Sequence, residues 1–321
     1  MLDLLDQSLL YELDNNSRLP ISQLSSRLKV KRDRVAYRLK GLKDSGILRK
    51  CTVLVDPYRF GHSVFKVYLQ LNHDRKRREE LLQTLWERPD IYWFAEMEGR
   101  FDVAFAMYAP SPFEFSSTLD EVLDSFRDLV RKFNVCTIVE VWLFRKRFLK
   151  GVGAKYAKMG GAPENHPLDA KDFQILAYLA EDSRTSTKDI AERLGSSPTL
   201  VTTRIARMEK LGVIIGYQTE IDLGKLGLSS FKARVDVRKH DSQSLDALFD
   251  YARLNNNLVI IIRQLGDCKV ELEFEVRDFE QYSEIIEDLK DKFPRLIREI
   301  ETVAIKRQTY KWMPFHLTAK L

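Results

Sequence analysis

Apolar residues return every three or four positions over the first fifty residues, and this period predicts three helices. Leu5, Leu9, Leu10 and Leu13 place one over 4–15, and Leu24 with Leu28 places a second over 21–28. The turn-forming Asn15-Asn16-Ser17-Arg18 separates them. Val35, Leu39 and Leu42 stand at i, i+4 and i+7 in the stretch 29–50, giving a third helix with an apolar back. That stripe leaves Asp33, Arg34 and Tyr37 facing outward, flanked by Arg38 and Lys40. Gly46 ends the helix, where a left-handed residue is cheap, and Ile47 and Leu48 lead into the strand-like CTVLVD. Helix, turn, helix, basic helix and wing is the order of a winged helix-turn-helix, whose last helix enters the DNA major groove.

Further along, the period alternates between two and 3.6. Strands are expected over 63–71, 91–97, 103–107 and 135–144, with helices over 75–87 and 113–133. This βαββαβ order folds as an antiparallel four-stranded sheet with both helices on one face, a ferredoxin-like sandwich. Its other face needs a cover.

The chain is written twice. Asp3, Asp6, Ser17-Arg18, Leu28, Val35, Arg38 and Gly46 are matched by Asp169, Asp172, Ser183-Arg184, Leu194, Val201, Arg204 and Gly212, each 166 residues on. The register continues without a gap through Asp56/Asp222 and Gly61/Gly227 to Phe65-Lys66/Phe231-Lys232. A second βαββαβ follows, with strands over 230–237, 258–264, 270–276 and 297–306 and helices over 242–254 and 279–293. The expected class is therefore α+β, with two winged helix-turn-helix domains (1–58 and 168–224) and two ferredoxin-like sandwiches (59–149 and 225–321). Residues 150–167, with Gly151, Gly153, Gly160, Gly161, Pro163 and Pro167, lack periodicity and read as a linker.

Charge sharpens the reading of the first unit. The stretch 29–50 holds nine basic residues against Asp33 and Asp44, 9 − 2 = +7, while the whole chain is only +5. A charge run alone is usually a solvated face, but on a recognition helix it neutralises phosphates. Lys31, Arg32, Arg34, Tyr37, Arg38 and Lys40 are the candidate DNA contacts there. In the second copy, 195–216 carries Arg204, Arg207 and Lys210 against Glu209, 3 − 1 = +2. Its Ser196-Ser197-Pro198 is the better helix start, and Ser197, Thr199, Thr203, Arg204 and Arg207 are its candidate contacts. Asymmetric DNA reading follows: reversing Arg34 and Arg38 abolishes binding, and reversing Arg204 and Arg207 only weakens it.

No apolar run reaches the roughly 18 residues of a membrane span, and MLDLLDQSLL does not have the pattern of a signal peptide, so a cytoplasmic location is expected. Cys51, Cys136 and Cys268 lack metal-ligand spacing and read as buried free thiols. His62, His73, His166, His240 and His316 are scattered along the chain and read as solvated loop residues. No catalytic group, cofactor or metal site is expected.

The residues Arg38-x3-Leu42-x3-Gly46-Ile47 and Arg204-x3-Met208-x3-Gly212-Val213, with Val55-Asp56 through Phe60-Gly61 and Ile221-Asp222 through Leu226-Gly227, resemble the Lrp/AsnC family of feast/famine regulators. Gly99-Arg100-Phe101-Asp102 and Gly266-Asp267 resemble the turn of that family's effector-binding sandwich, the RAM or AsnC-type domain. The resemblance implies double-stranded DNA as partner, a fused pseudo-dimer that is expected to self-associate, and an amino-acid effector held by Gly99, Arg100, Asp102, Gly266 and Asp267. Lys269 stands near the counterpart of Asp102, against two equivalent sites, and both glycines can also serve simply as tight turns. Two other readings share the build. The sirohaem decarboxylases look similar, and a scaffold could use Tyr92, Trp93, Phe94, Trp142 and Phe144 as an interface, although alternating aromatics are more often core.

Overall fold

A carboxylate closes the first turn of each helix-turn-helix. In the computed structural model, which describes residues 2–150, 155–238 and 242–311, Asp3 accepts from the Asp6 amide and opens α1 (Leu4–Asn15). Asp169 and Asp172 cap each other reciprocally at α6 (Ala170–Glu181), a device worth about 1 kcal/mol. The next helices are α2 (Ile21–Leu28) and α7 (Thr187–Arg193). α3 (Arg32–Asp44) starts without a side-chain cap, whereas α8 (Pro198–Lys210) has Ser197 Oγ accepting from Leu200. Gly46 and Gly212, at φ 68° and 71°, stop both recognition helices. Leu9, Leu13, Leu24, Val35 and Leu39 form one core, and their repeat mates Ile175, Leu179, Ile190, Val201 and Ile205 form the other.

The strands after the recognition helices do not fold back as wings; they pair with each other. β1 (Leu48–Val55) runs antiparallel to β7 (Ile214–Ile221) with Thr52 opposite Gln218, its own repeat mate, so the pseudo-two-fold axis passes between them. On the same symmetry Ser17 Oγ meets Ser183 Oγ at 2.6 Å. Arg18 donates to the carbonyls of Ser183 and Thr185, and Arg184 donates to those of Ser17 and Leu19. Val53, Val55 and Phe60 pack into the second unit's core, while Ile221 and Leu226 pack against the first's.

The first sandwich comprises β2 (Ser63–Leu71), α4 (Arg75–Glu87), β3 (Ile91–Glu98), β4 (Val103–Ala109), α5 (Pro112–Ser125) and β5 (Val130–Phe144). After β6 (Tyr156–Gly160) and the second helix-turn-helix come β8 (Ser229–Val237), α9 (Ser242–Ala252), β9 (Leu258–Leu265), β10 (Val270–Val276), α10 (Phe279–Lys292) and β11 (Ile297–Tyr310). β5 pairs with β2 through 130–137 and with β9 through 137–143. β11 pairs with β8 through 297–305 and with β3 through 304–310. Eight strands thus close into a ring, β2-β4-β3-β11-β8-β10-β9-β5, with the helices outside. Each sandwich covers the open face of the other, and the α+β class stands.

Three stretches depart from the sequence expectation. α5 ends at Ser125 rather than 133, because Phe126 and Leu129 turn into the core and 130–133 hydrogen-bond to β2. Their spacing with Phe133 mimics a helical stripe. The stretch 156–160 of the expected linker is strand β6, which pairs with 140–144 and buries Ala157 and Met159. β11 runs to Tyr310 instead of 306, since β3 offers it a second partner. Gly151, Gly153, His240 and His316 lie outside the described residues.

The ring encloses charge. Lys66 from β2 and Lys232 from β8 meet Glu271 of β10 at 2.7 and 3.1 Å, and Lys232 reaches Glu273 at 2.5 Å. Arg234 approaches Glu271 at 3.8 Å and binds Glu301 at 2.6 Å. Burial alone would raise the Glu271 carboxyl; Lys232, Lys66 and Arg234 overcome it and hold that carboxyl well below the usual range.

Candidate nucleic-acid interface

Val35, Leu39 and Leu42 anchor α3 in the core and turn its other side to solvent. Lys31, Arg32, Arg34 and Lys40 are exposed, and Tyr37 is 75% exposed. Among the nine basic residues of 29–50, Arg38, Lys43 and Arg49 are ion-paired, to Asp3 and Asp6, to Asp182, and to Asp222. Lys29, Lys31, Arg32, Arg34, Lys40 and Lys50 have no ion pair among the described residues, leaving 9 − 3 = 6 cations uncompensated.

Arg38 is therefore a positioning residue rather than an outward contact. It bridges α3 to the start of α1, at 2.7 Å from Asp3 and 3.2 Å from Asp6. Arg204 repeats the arrangement with Asp169 at 2.7 Å and Asp172 at 2.9 Å, and Arg207 adds a 2.6 Å bond to Asp172 and one to the Pro167 carbonyl. The expectation that Arg38, Arg204 and Arg207 point at DNA is corrected by these pairs. The signal was in the repeat, because Asp3, Asp6 and Arg38 all recur 166 residues later.

The second helix has less to offer. Of its three cations only Lys210 has no ion pair among the described residues. Ser197 is occupied as the helix cap, and Thr203 Oγ1 bonds back to the Thr199 carbonyl, although both threonines are exposed. Six free cations stand against one.

The turns expected to hold an effector are closed against the opposite sandwich. A Cβ on Gly99 would lie 3.1 Å from the Thr302 carbonyl, and one on Gly266 would lie 3.1 Å from the Val135 carbonyl and 2.6 Å from Cys136 Sγ. With φ at 131° and 152°, only glycine fits both turns. Asp102 accepts from the Leu71 amide, Asp267 is engaged by Arg234, Asn134 and Cys136, and Arg100 faces Glu301 at 3.7 Å. This geometry serves the junction of the two sandwiches.

The remaining candidates divide between core and turn. Tyr92, Trp93, Phe94 and Phe144 are buried and Trp142 packs on Phe249, which removes the scaffold interface. The three cysteines are buried and free. His62 is buried on the Phe60 carbonyl rather than solvated, and His166 pairs with Glu164 while its amide donates to Arg59, so the fold brings two histidines to one turn. No helix of the described residues is long and apolar enough to cross a membrane.

The profile of winged helix-turn-helix DNA-binding domains matches residues 2–49 and 168–215. The chain is 29% identical over 145 residues to the HTH-type transcriptional regulator LrpA of Pyrococcus horikoshii, covering 98% of that protein and 44% of this chain. It is 30% identical over 110 residues to the proline dehydrogenase transcriptional activator of Rhizobium radiobacter, covering 67% of that protein and 34% of this chain. An uncharacterised HTH-type regulator of Pyrococcus furiosus is 24% identical over 146 residues, 94% of its length and 45% of this chain. Each of these relatives aligns with less than half of the chain. Over the full length, the fold is similar to the crystal structure of the siroheme decarboxylase NirDL, with a TM-score of 0.66, 12% identity and 99% of both chains covered. At that identity the likeness shows the fold alone. A duplicated helix-turn-helix, two sandwiches joined back to back and regulators matching half the chain at a time make this protein a member of the Lrp/AsnC family, with two family units fused in one polypeptide.

Proposed function

We propose that the chain is a sequence-specific, double-stranded-DNA-binding transcriptional regulator that acts as an intramolecular pseudo-dimer, its first helix-turn-helix supplying most of the electrostatic affinity. The observation that carries this reading is the face of α3, where free cations surround an exposed Tyr37 on a helix anchored by Val35, Leu39 and Leu42. Lysine and arginine on such a face neutralise phosphates, and Arg34 and Tyr37 have the reach for base edges. Response to a small molecule belongs to the same proposal.

The test is selection of duplexes from a random pool at about 50 mM and about 200 mM salt, followed by sequencing of what is retained. Enrichment of related sequences with steep loss at the higher salt is expected. No retention at the lower salt overturns the reading.

The full-length fold likeness favours a second reading, tetrapyrrole chemistry. Its test is separate: a new visible absorption band when an iron tetrapyrrole is added to the purified chain supports it.

A further inference from the structure

The two sandwiches differ most at one place related by the pseudo-two-fold axis. In the β2–β4 ladder Lys66 faces Ala106 and Val64 faces Tyr108, whereas in the β8–β10 ladder Lys232 faces Glu273 and Ser230 faces Glu275. Tyr108 and Glu275 therefore hold the same station. The β3–β4 and β9–β10 ladders set Trp93 against Ala106 and Ile260 against Glu273, so the counterpart of Tyr92 is Val259.

On the first side this station is filled. Tyr108 stacks on Tyr92 at 4.3 Å with an interplanar angle of 3°, and Tyr58 and Met159 of β6 join the same cluster. A cavity of about 40 Å³ remains. On the second side Gly224 stands where the repeat puts Tyr58, and no described strand corresponds to β6. A cleft of about 390 Å³ opens between β7, the end of β11 and the sandwich, of a size that suits a small organic molecule.

Its chemistry is acidic. Glu273 and Glu275, 3% and 5% exposed, line the cleft together with Asp14 and Glu220. Lys146 bonds one oxygen of Glu275, but Oε2 is withdrawn from water and has no hydrogen-bond partner among the described residues. A buried carboxylate oxygen left this way is costly unless a donor reaches it. The cations of the cleft are committed elsewhere: Arg49 to Asp222, Lys306 to Glu98 and Arg307 to Glu96. An anion would meet four carboxylates, while an ammonium group brings donors and the missing charge. The Tyr310 ring on the wall adds an aromatic face to a bound cation.

We propose that this one-sided cleft binds a small aliphatic amine as its ammonium cation, with Glu275 Oε2 accepting from it and Glu273 beside it. The site goes beyond the DNA-binding reading and is measured without DNA, so either can fail alone. The full chain is titrated calorimetrically with putrescine, spermidine and L-lysine, and with succinate as an anion of similar size. Saturable one-to-one binding of at least one amine is expected, weakened by about tenfold or more in Glu275→Gln, with no heat from succinate. Val259→Tyr, which places the first side's ring in the cleft, gives the same loss and keeps the test decisive where Glu275→Gln does not fold. No heat from any of the three amines, affinity unchanged in both variants, or preferred binding of succinate overturns the proposal.

Discussion

Neutralising three free cations of α3, as Arg32→Gln, Arg34→Gln and Lys40→Gln together, tests the proposed interface at its electrostatic source. None of the three has an ion pair among the described residues, so the change leaves the described ion pairs of the fold in place. Each phosphate left without its cation flattens the dependence of log affinity on log salt by about 0.9, and three flatten it by about 2.7. At about 0.1 M salt this corresponds to roughly 500-fold weaker binding. The assay is fluorescence anisotropy with a selected duplex at four salt concentrations, wild type and variant side by side. In α8 only Lys210 is free, and Lys210→Gln is expected to change the slope by no more than about 0.9. An unchanged slope in the triple variant, or an equal change in both, refutes the assignment of the electrostatic contacts to the first unit.

Arg38→Gln removes the pairs to Asp3 and Asp6 and, with a side chain 30% exposed, is expected to cost about 0.5–1 kcal/mol in urea unfolding while leaving the salt slope of DNA binding intact. Glu271→Gln leaves Lys66 and Lys232 without their shared buried partner and is expected to cost about 3–5 kcal/mol in chemical unfolding. Because the Glu271 carboxyl is held below its ordinary value, its stabilisation is present above about pH 4.5 and is lost as pH falls through the folded-state value, so the gap to Glu271→Gln narrows in acid. Burial pushes Asp56 the other way, to about 6, against hydrogen bonds from the Tyr58 and Gly160 amides. The native state then binds that proton more tightly than the unfolded chain, and about 3 kcal/mol of stability present in acid is lost as pH rises through about 6. Asp56→Asn is expected to remove that loss, read as the difference between the two stability profiles over about pH 4–7.

Much of the architecture was legible because the chain states it twice. Ser17-Arg18 and Ser183-Arg184, which mark the repeat, are the residues that meet across the axis. Elements with a long, clean period, such as α1, α4 and β2, fall where their spacing places them. Strand β6 was not legible, because Ala157 and Met159 are two buried positions in five residues and their burial depends on partners far along the chain. The direction of Arg38 was hidden for a related reason: on the helix it borders the outward face, and only the packing of α1 shows which carboxylates claim it. Val-Glu-Leu-Glu-Phe-Glu-Val over 270–276 has the alternation of a strand with one wet face. Ring closure buries that face, and the contrast with Ala104, Ala106 and Tyr108 was its signal in the sequence.

The closed ring also sets an order in time. β3 is complete at Glu98, yet the strand that pairs with its outer edge, β11, reaches Tyr310, 310 − 98 = 212 residues later. At about 5–20 residues per second a ribosome takes roughly 10–40 s to supply it. Throughout that interval the newborn first half carries an uncapped strand edge beside Trp93 and Phe94, the kind of surface on which chains aggregate. A two-chain ancestor could borrow a finished partner from solution; the fused chain must wait for its own ending.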